Sequence, residues 1–265
     1  MKLSILTIFP EMIENFLGES IIKRARDKGI IEVQAVNIRD FSEDKHNRVD
    51  DYPFGGDLGM LFKHEPIIRA YESLTKEGDK KPFCIMMSPK GIPFTQRIAN
   101  ELAQKENICI ICGHYEGIDE RVNETICDLE LSLGDFVLTG GELAAAVMSD
   151  AILRLVPGVL AEKDSSLQET HQGETLEYPQ YTRPAETKYG KVPEVLLSGH
   201  HKNIMKYRRE QSLMATLSKR EDIFLEIDFT KDDISYLTHI KNIIEEGIKQ
   251  YDYNQTTSTA SQSGK

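Results

Sequence analysis

The sequence lacks the features that mark membrane, secreted and disulfide-stabilised proteins. No apolar run approaches the ~18–20 residues that a membrane-spanning helix needs. The first twelve residues hold one lysine and an apolar run too short for the core of a signal peptide. Only four cysteines occur among 265 residues, so a disulfide scaffold is not expected. We therefore expect a cytoplasmic protein that does not enter a membrane.

Two common nucleotide-binding motifs and a zinc pattern are also missing. The chain has neither the GxGxxG of a Rossmann site nor the GxxxxGK[ST] of a P-loop. Cys109 and Cys112 form a CxxC, but they lie in a strand-like run, where residues three apart face opposite sides. Neither Cys84 nor Cys127 supplies the second close pair of a zinc site. We predict no metal site here and interpret Cys109 and Cys112 as core residues.

What the chain does contain is the composition of an ordinary globular protein, with 40% hydrophobic and 28% charged residues. Fully apolar short runs predict buried strands at residues 82–87 and 108–112, and residues 3–9 are a further strand candidate. Residues 31–38 alternate at period two through Ile31, Val33 and Ala35, which also predicts a strand. Helical spacing predicts helices at residues 12–28, 65–74 and 95–105. Strands that alternate with helices in this way indicate an α/β fold with a mostly parallel sheet.

The apolar pattern breaks after Pro157 and Gly158, and this break predicts the domain organisation. Residues 161–177 are polar and aperiodic, which is typical of a linker or functional loop. We therefore predict a first domain over residues 1–160, this linker, and a smaller helical domain over residues 178–250. Its last helix has an apolar stripe at Ile234, Leu237, Ile240, Ile244 and Ile248. Residues 251–265 are rich in Ser, Thr and Gln and predict a disordered tail.

The charge of the chain is unevenly distributed. The net charge is −11, yet residues 181–220 hold nine basic and three acidic side chains, a local charge of +6. The acidic average argues against non-specific coating of nucleic acid. The basic segment itself is either a solvated charged face or a surface for polyphosphate, and composition favours neither.

Three glycine-bearing segments follow the predicted strands or lead into a helix. They are MSPKG at residues 87–91, GHYEG at 113–117 and GDFVLTGGE at 134–142. Ligands of α/β sheets bind at the carboxyl ends of strands, and glycine allows the backbone to approach a ligand closely. Each segment alone is most simply a tight turn, but the three together favour one ligand pocket.

Two further features each leave two interpretations open. Residues 48–60 pair two carboxylates, Asp50 and Asp51, with three glycines, as in a polar loop that closes over a ligand or in a capped turn. Arg154 lies in an apolar helix end, where its side chain either extends to solvent or points into a site.

Six motifs in one order resemble the bacterial tRNA (guanine-N1)-methyltransferases: HNRVDDYPFGG, ICGHYEGIDERV, LSLGDFVLTGGEL, LRLVPGVL, EYPQYTRP and VPEVLLSGHH. The resemblance implies a trefoil-knotted α/β domain of the SPOUT superfamily and a helical tRNA-binding domain. It also implies a homodimer with shared active sites. The implied activity is methyl transfer from S-adenosylmethionine to N1 of guanine 37 in tRNA, and the alternative is another knotted RNA methyltransferase with a different target base. The family also implies a divalent cation such as Mg²⁺, which no spacing here independently predicts.

The resemblance assigns roles to individual residues of this chain. Those implied to bind the methyl donor are Met87, Ser88, Pro89, Gly113, Tyr115, Glu116, Leu133, Gly134, Asp135, Phe136, Val137, Leu138, Gly140 and Gly141. Those implied to contact tRNA are Asp50, Arg183, Ser198, Gly199 and Arg208. The catalytic pair is Glu169, as the base, and Arg154, as the stabiliser of negative charge. We also expect Arg209 to contribute to tRNA binding.

The chain departs from the family at four positions. The catalytic aspartate of the family falls on Glu169, and the only aspartate of the linker, Asp164, lies five residues earlier. The family usually has Gly at Asp57, Pro at Ala144 and Asn at His200. The first departure leaves the base open between Glu169 and Asp164, whereas the other three bear on ligand affinity.

Overall fold

A computed structural model describes residues 1–56, 58–76, 78–160, 170 and 173–262, with no side chains beyond residue 250. The chain divides into two compact units, Met1–Ser166 and Leu167–Lys265. The division falls inside the polar segment 161–177. No helix in the described part of the chain is long and apolar enough to cross a membrane.

The first unit alternates strands and helices. In chain order its elements are β1 (Lys2–Thr7), α1 (Pro10–Leu17), α2 (Ser20–Asp27), β2 (Glu32–Asn37), a 3-10 helix (Ile38–Phe41), β3 (Asp50–Asp51), β4 (Leu61–Phe62), α3 (His64–Glu72), β5 (Phe83–Pro93), α4 (Gln96–Leu102), β6 (Asn107–Ile111), α5 (Glu120–Ile126), β7 (Leu129–Ser132) and α6 (Glu142–Leu153). Five of the strands form a parallel sheet in the order β2-β1-β6-β5-β7, and β3 pairs with β4 in a separate antiparallel ladder.

Each face of the sheet is covered by its own apolar core, which explains why the central strands β1, β5 and β6 are rich in apolar residues. Helices α1, α2, α4 and α6 contribute to one core, and α3, α5 and the 3-10 helix contribute to the other. The side chains of β6 alternate between the two, with Cys112 just after the strand. Cys109 lies in one core and Cys112 in the other, so these two thiols face opposite sides of the sheet, as predicted.

The helix predicted over residues 12–28 is wrong as a single element. The chain forms α1 and α2 with a break at Gly18, and Ser20 has a left-handed φ of 56°. A Cβ at Gly18 would collide with the carbonyl oxygen of Glu14, so glycine permits this tight exit from α1. A single helix over 12–28 would place Ile21 on the apolar face of Ile13 and Leu17, but because of the break α2 buries Ile22 instead and Ile21 is exposed.

Strand β5 is longer than the apolar run that predicts it. Both Met87 and Ile92 align with Leu131 of β7, so residues 88–91 bulge out of the ladder. A Cβ at Gly91 would lie 2.5 Å from the backbone nitrogen of Leu131. Glycine therefore lets the chain rejoin the ladder after the bulge. The first glycine-bearing segment, residues 87–91, is thus a bulge within a strand.

The second unit is mainly helical. Its elements are β8 (Glu186–Thr187), β9 (Gly190–Lys191), α7 (Glu194–Leu197), α8 (His201–Lys219), α9 (Glu221–Phe224) and α10 (Lys231–Gln262). The stripe of α10 is only partly buried, since Leu237 and Ile240 are half-buried while Ile244 and Ile248 are exposed. The backbone of α10 continues through residues 251–262, where composition predicts disorder, because extending a helix costs less than starting one.

Candidate active site

The carboxyl ends of three neighbouring strands, β6, β5 and β7, enclose a cavity of about 510 Å³. This volume is within the usual range for small-molecule sites, roughly 300–1,000 Å³. The cavity walls come from the β5 bulge, the loop after β6 and the loop that joins β7 to α6. These are the three glycine-bearing segments that the sequence analysis placed around one pocket.

The structure brings together twelve of the fourteen residues that the resemblance assigns to the methyl donor. The residues at the cavity are Met87, Ser88, Pro89, Gly113, Tyr115, Glu116, Leu133, Phe136, Val137, Leu138, Gly140 and Gly141. Gly134 and Asp135 are not among its lining residues. Gly134 forms a turn instead, in which its N–H donates to Ser132 Oγ (3.2 Å) and its carbonyl accepts from Phe136 N–H (2.9 Å).

The loop after β6 is held in place from one side by the β4 segment. The N–H of Glu116 donates to the carbonyl of Met60 at 3.0 Å, and the N–H of Phe62 donates to the carbonyl of Gly117 at 3.0 Å. Tyr115 has a left-handed φ of 60°, and its ring meets Phe62 edge-on at 5.2 Å. This anchoring extends the cavity wall to Leu61, a lining residue that the sequence analysis missed.

The same loop also contacts the loop that precedes α6. The N–H of Gly141 donates to the carbonyl of Gly113 at 2.8 Å, and Gly140 forms an antiparallel bridge with His114. A Cβ at Gly141 would lie 2.8 Å from the Cα of Cys112. Only glycine fits this backbone contact without displacing one of the loops.

A buried acid that no sequence pattern singled out contacts His114 of the cavity wall. Glu142 is 2% exposed, and its Oε2 lies 2.6 Å from His114 Nε2. Its Oε1 accepts a 2.6 Å hydrogen bond from Thr7 Oγ1. The available signal was the acid directly after Gly140 and Gly141, but its partners are 28 and 135 residues away in the chain.

The cysteines beside the cavity are not reactive groups. Burial, with the charge of Glu142 as a smaller cause, raises the pKa of the Cys112 thiol well above 9.0. Burial also raises the pKa of Cys109 well above 9.0. A thiol that stays protonated is a poor nucleophile and a poor metal ligand. Among the described residues, no three His, Cys, Asp or Glu side chains form a group that could hold a metal ion.

Of the predicted catalytic residues, the structure describes Arg154. Arg154 caps the carboxyl end of α6, is half-buried, and donates its N–H to the carbonyl of Asp150 at 3.1 Å. Glu169, Asp164 and Asp57 lie outside the described residues. The catalytic pairing of Glu169 with Arg154 therefore stays a prediction.

The loop between β3 and β4 projects from the unit. Asp50 is half-buried and aligns with Phe62 across the ladder. The pKa of Asp51 is lowered by the backbone N–H of Tyr52 and then by Lys63, whose Nζ is 3.5 Å away. Beyond them Tyr52, Phe54 and Leu58 are exposed. The segment is thus an exposed loop with an anchored base, and the tRNA contact of Asp50 stays a prediction.

The other predicted tRNA contacts belong to the second unit. Arg183 is exposed, and Gly199 has a left-handed φ of 70° that favours glycine. Ser198 caps α7, with its Oγ donating to the carbonyl of Val195 at 2.7 Å. The guanidinium of Arg208 lies 4.7 Å from the centre of the Tyr178 ring. These placements do not test whether the residues bind RNA.

Arg209 differs from its basic neighbours because the acid that it pairs with is buried. Its guanidinium donates to both carboxylate oxygens of Asp233, at 3.0 and 2.9 Å. Asp233 is only 3% exposed. Reversing the charge of Arg209 would leave this buried acid beside a like charge, so such a variant tests folding rather than RNA binding.

The ion pair between Arg209 and Asp233 predicts acid sensitivity. Hydrogen bonds from Arg209, assisted by those from Thr230, lower the pKa of Asp233 from 3.8 to about 2. The folded state therefore binds the proton less readily than the unfolded state. The stabilisation is complete above the unfolded pKa of about 3.9 and is lost as the pH falls towards 2. Thermal unfolding of the full chain between about pH 5 and pH 2 measures this loss.

Two variants separate this ion pair from general acid denaturation. Asp233→Asn should flatten the pH dependence over that range, because the titrating group is gone. Arg209→Met should destabilise the protein by about 1–3 kcal/mol at neutral pH, because the buried carboxylate loses its charged partner but keeps its hydrogen bond from Thr230. If Asp233→Asn leaves the pH dependence unchanged, another group is responsible for the acid sensitivity.

Comparison with known proteins identifies the family to which this arrangement belongs. The family described as tRNA (Guanine-1)-methyltransferase TrmD matches residues 1–226. A tRNA (guanine-N(1)-)-methyltransferase of Ruminiclostridium cellulolyticum is 54% identical over 224 residues, covering 84% of this chain and 96% of the relative. One from Carboxydothermus hydrogenoformans is 52% identical over 233 residues, covering 88% of this chain and 91% of the relative.

A solved structure shows the same fold. The tRNA (m1G37) methyltransferase of Aquifex aeolicus superimposes with a TM-score of 0.69 and is 43% identical, covering 87% of this chain and 97% of that one. The family match includes the three glycine-bearing segments that line the cavity, and the fold match agrees with it. The chain belongs to the tRNA (guanine-1)-methyltransferase family.

Proposed function

We propose that the protein transfers a methyl group from S-adenosylmethionine to N1 of guanine 37 in tRNA. The observation that carries this proposal is the single cavity in which the bulge of β5 and two glycine loops meet, in a chain of this family. The relatives are named for the same guanine nitrogen, and the solved relative for position 37. We attribute the backbone contact between Gly113 and Gly141 to the trefoil knot that the resemblance implies.

The cavity suits a methyl donor of this kind. Its lining combines apolar side chains, such as Met87 and Leu138, with glycine backbone that can approach a ligand closely. An apolar pocket with a few polar groups is typical of small-molecule sites. When bound, S-adenosylmethionine supplies an electrophilic methyl group on a sulfonium. The twelve cavity-lining residues that the resemblance assigns to the methyl donor would hold it.

The reaction requires deprotonation at guanine N1, which carries a proton at neutral pH. We propose that the carboxylate of Glu169 takes this proton, a contribution of roughly 10²–10⁴-fold. The N1–carbon bond forms as the carbon–sulfur bond breaks, and the sulfonium becomes a neutral thioether. Negative charge on guanine O6 grows as the proton leaves. Arg154 would stabilise that charge in the transition state.

The family also implies a divalent cation. Among the residues that the structure describes, no three His, Cys, Asp or Glu side chains form a group that could hold a metal ion. Magnesium is usually held by one or two carboxylates together with water and substrate oxygens. The roles proposed here for Glu169 and Arg154 do not involve that cation.

We propose that two copies of the chain associate through helices α1 and α6. These helices pack against each other, and their outer faces expose the apolar side chains of Phe9, Met12, Phe16, Leu143 and Val147. Within each helix the exposed pairs are spaced i, i+4 and so share one face. Helix α6 also carries Ala144 to the cavity, so a second copy would lie beside it, as shared active sites require. Sedimentation equilibrium measures this association.

We propose that the second unit binds the tRNA backbone through its exposed cations. Arg183 and Lys202 are exposed, whereas Arg209 is paired with Asp233. Each of Arg183→Gln and Lys202→Gln should reduce the slope of log K against log salt by up to about one, because each lost phosphate contact releases one fewer counterion. Filter binding at several salt concentrations measures the slope. Lys23→Gln, an exposed lysine of α2, is the control, and equal slopes in all variants would contradict the assignment.

The decisive test of the proposed function compares two tRNA transcripts. The protein should methylate a transcript with guanine at position 37 and should not methylate one in which only that base is replaced. Calorimetry with S-adenosylmethionine alone tests the cofactor site separately. Methylation of both transcripts would indicate a knotted RNA methyltransferase with a different target base.

A further inference from the structure

A hydrogen-bonded chain of four residues reaches the cavity wall at His114 and takes no part in the proposed reaction. Both carboxylate oxygens of Glu142 are occupied, one by His114 and one by Thr7, each at 2.6 Å. Thr7 Oγ1 in turn accepts the N–H of Phe9 at 2.9 Å. Burying a carboxylate is costly unless its oxygens are hydrogen-bonded, so this arrangement is a built network rather than an incidental contact.

The network joins segments that are distant in the chain. Thr7 is the last residue of β1, His114 lies in the loop after β6, and Glu142 begins α6. Since β1 and β6 are adjacent in the sheet, their carboxyl ends are brought to the same side of α6. The negative charge of Glu142 is also favourable at the amino end of a helix.

The fit around the imidazole depends on Gly140. A Cβ at that position would overlap His114 Nε2 and would lie 2.7 Å from Glu142 Oε2. The imidazole therefore occupies space that any other residue at position 140 would fill. On its other side the His114 ring packs edge-on against Phe9 at 5.0 Å. The position of His114, and of the backbone beside it, is thus set from both sides.

We propose that Glu142 is a positioning residue that acts through His114 to hold the loop of Gly113, Tyr115 and Glu116 in its cofactor-binding place. This inference rests on the proposed function, because that loop lines the cavity assigned to S-adenosylmethionine. A loop held before the ligand arrives loses less freedom on binding, which raises affinity. Loosening the pair should therefore weaken cofactor binding more than it slows the chemical step.

Two variants break the pair in different ways. His114→Phe keeps an aromatic ring against Phe9 but removes the hydrogen bond. Glu142→Asp keeps the charge but withdraws it by one methylene. Each should raise the Kd and the KM for S-adenosylmethionine at least tenfold, about 1.4 kcal/mol. At saturating cofactor, kcat should stay within about threefold of the unaltered protein, because Glu169 and Arg154 are unchanged.

Two further variants serve as controls. His114→Gln retains an N–H donor for Glu142 and should keep the cofactor Kd within about threefold. Tyr71→Phe removes a buried hydrogen bond to the carbonyl of Pro82 (2.7 Å) in the other core. It should lower the melting temperature without changing cofactor affinity. Calorimetry, initial rates and thermal melting of the full-length proteins provide these values.

The outcomes separate the inference from the function on which it rests. Absence of S-adenosylmethionine binding by the unaltered protein would overturn the proposed function. If that protein binds but Glu142→Asp binds equally well, the positioning role alone is overturned, and this holds even if His114→Phe does not fold. The positioning role would also be overturned if these variants raised the KM for cofactor and the KM for tRNA in the same proportion and lowered the melting temperature. Such a result would indicate a general loss of structure.

Discussion

Replacing Glu169 with glutamine should lower kcat by roughly 100-fold or more while leaving S-adenosylmethionine affinity unchanged. Glutamine keeps the size of the side chain and removes its basicity. Guanine N1 then keeps its proton, and a protonated nitrogen has no lone pair in the ring plane with which to attack the methyl carbon. Because the base acts only in the chemical step, the loss should be in kcat under saturating cofactor and tRNA. Single-turnover methylation of the guanine-37 transcript measures it.

Matched changes in the linker assign the loss to position 169. Glu169→Asp keeps a carboxylate and restores the residue of the family, so it should retain much of the activity. Asp164→Asn should change turnover little, although Asp164 is the only aspartate of the linker. If Asp164→Asn abolishes turnover and Glu169→Gln does not, the base is Asp164. If neither change slows the reaction, neither Glu169 nor Asp164 removes the proton from guanine N1.

Replacing Gly141 with valine should weaken S-adenosylmethionine binding at least tenfold, about 1.4 kcal/mol. A Cβ at this position would lie 2.8 Å from Cys112 Cα and 3.0 Å from the backbone nitrogen of Gly113. Backbone atoms cannot rotate away as a side chain can, so the two loops must separate. Their separation breaks the 2.8 Å hydrogen bond between Gly141 N–H and the Gly113 carbonyl, and the cavity opens along that side. Calorimetry with S-adenosylmethionine measures the change.

A second glycine provides the control for backbone freedom. Gly247 lies in α10, and a Cβ added there would have no atom of the described residues within 4 Å. Gly247→Ala should leave cofactor affinity unchanged and should stabilise the helix by about 0.5–1 kcal/mol. Wild-type cofactor affinity in a folded Gly141→Val protein would place the cofactor site elsewhere.

Local patterns in the sequence were enough for the fold class and for the three glycine-bearing segments that line the cavity. Apolar runs predicted β1, β5 and β6 because a central strand buried on both faces is apolar along most of its length. Period-two alternation predicted β2, which lies at the edge of the sheet. The glycine-bearing segments predicted the cavity because ligands of parallel sheets bind at strand carboxyl ends. Strand β7 was not predicted. It is only four residues long and has Glu130 in its middle, so its apolar pattern is too short to indicate a strand.

Partners that are distant in the chain were decided by the tertiary structure alone. No local pattern indicates that Thr7 meets Glu142 across 135 residues, or that Arg209 is paired with the buried Asp233. The bulge in β5 likewise depends on the backbone of β7 that lies next to Gly91. Hydrophobic periodicity reports which face of an element is buried. It carries no information about which side chain lies opposite, and that depends on the order of strands in the sheet.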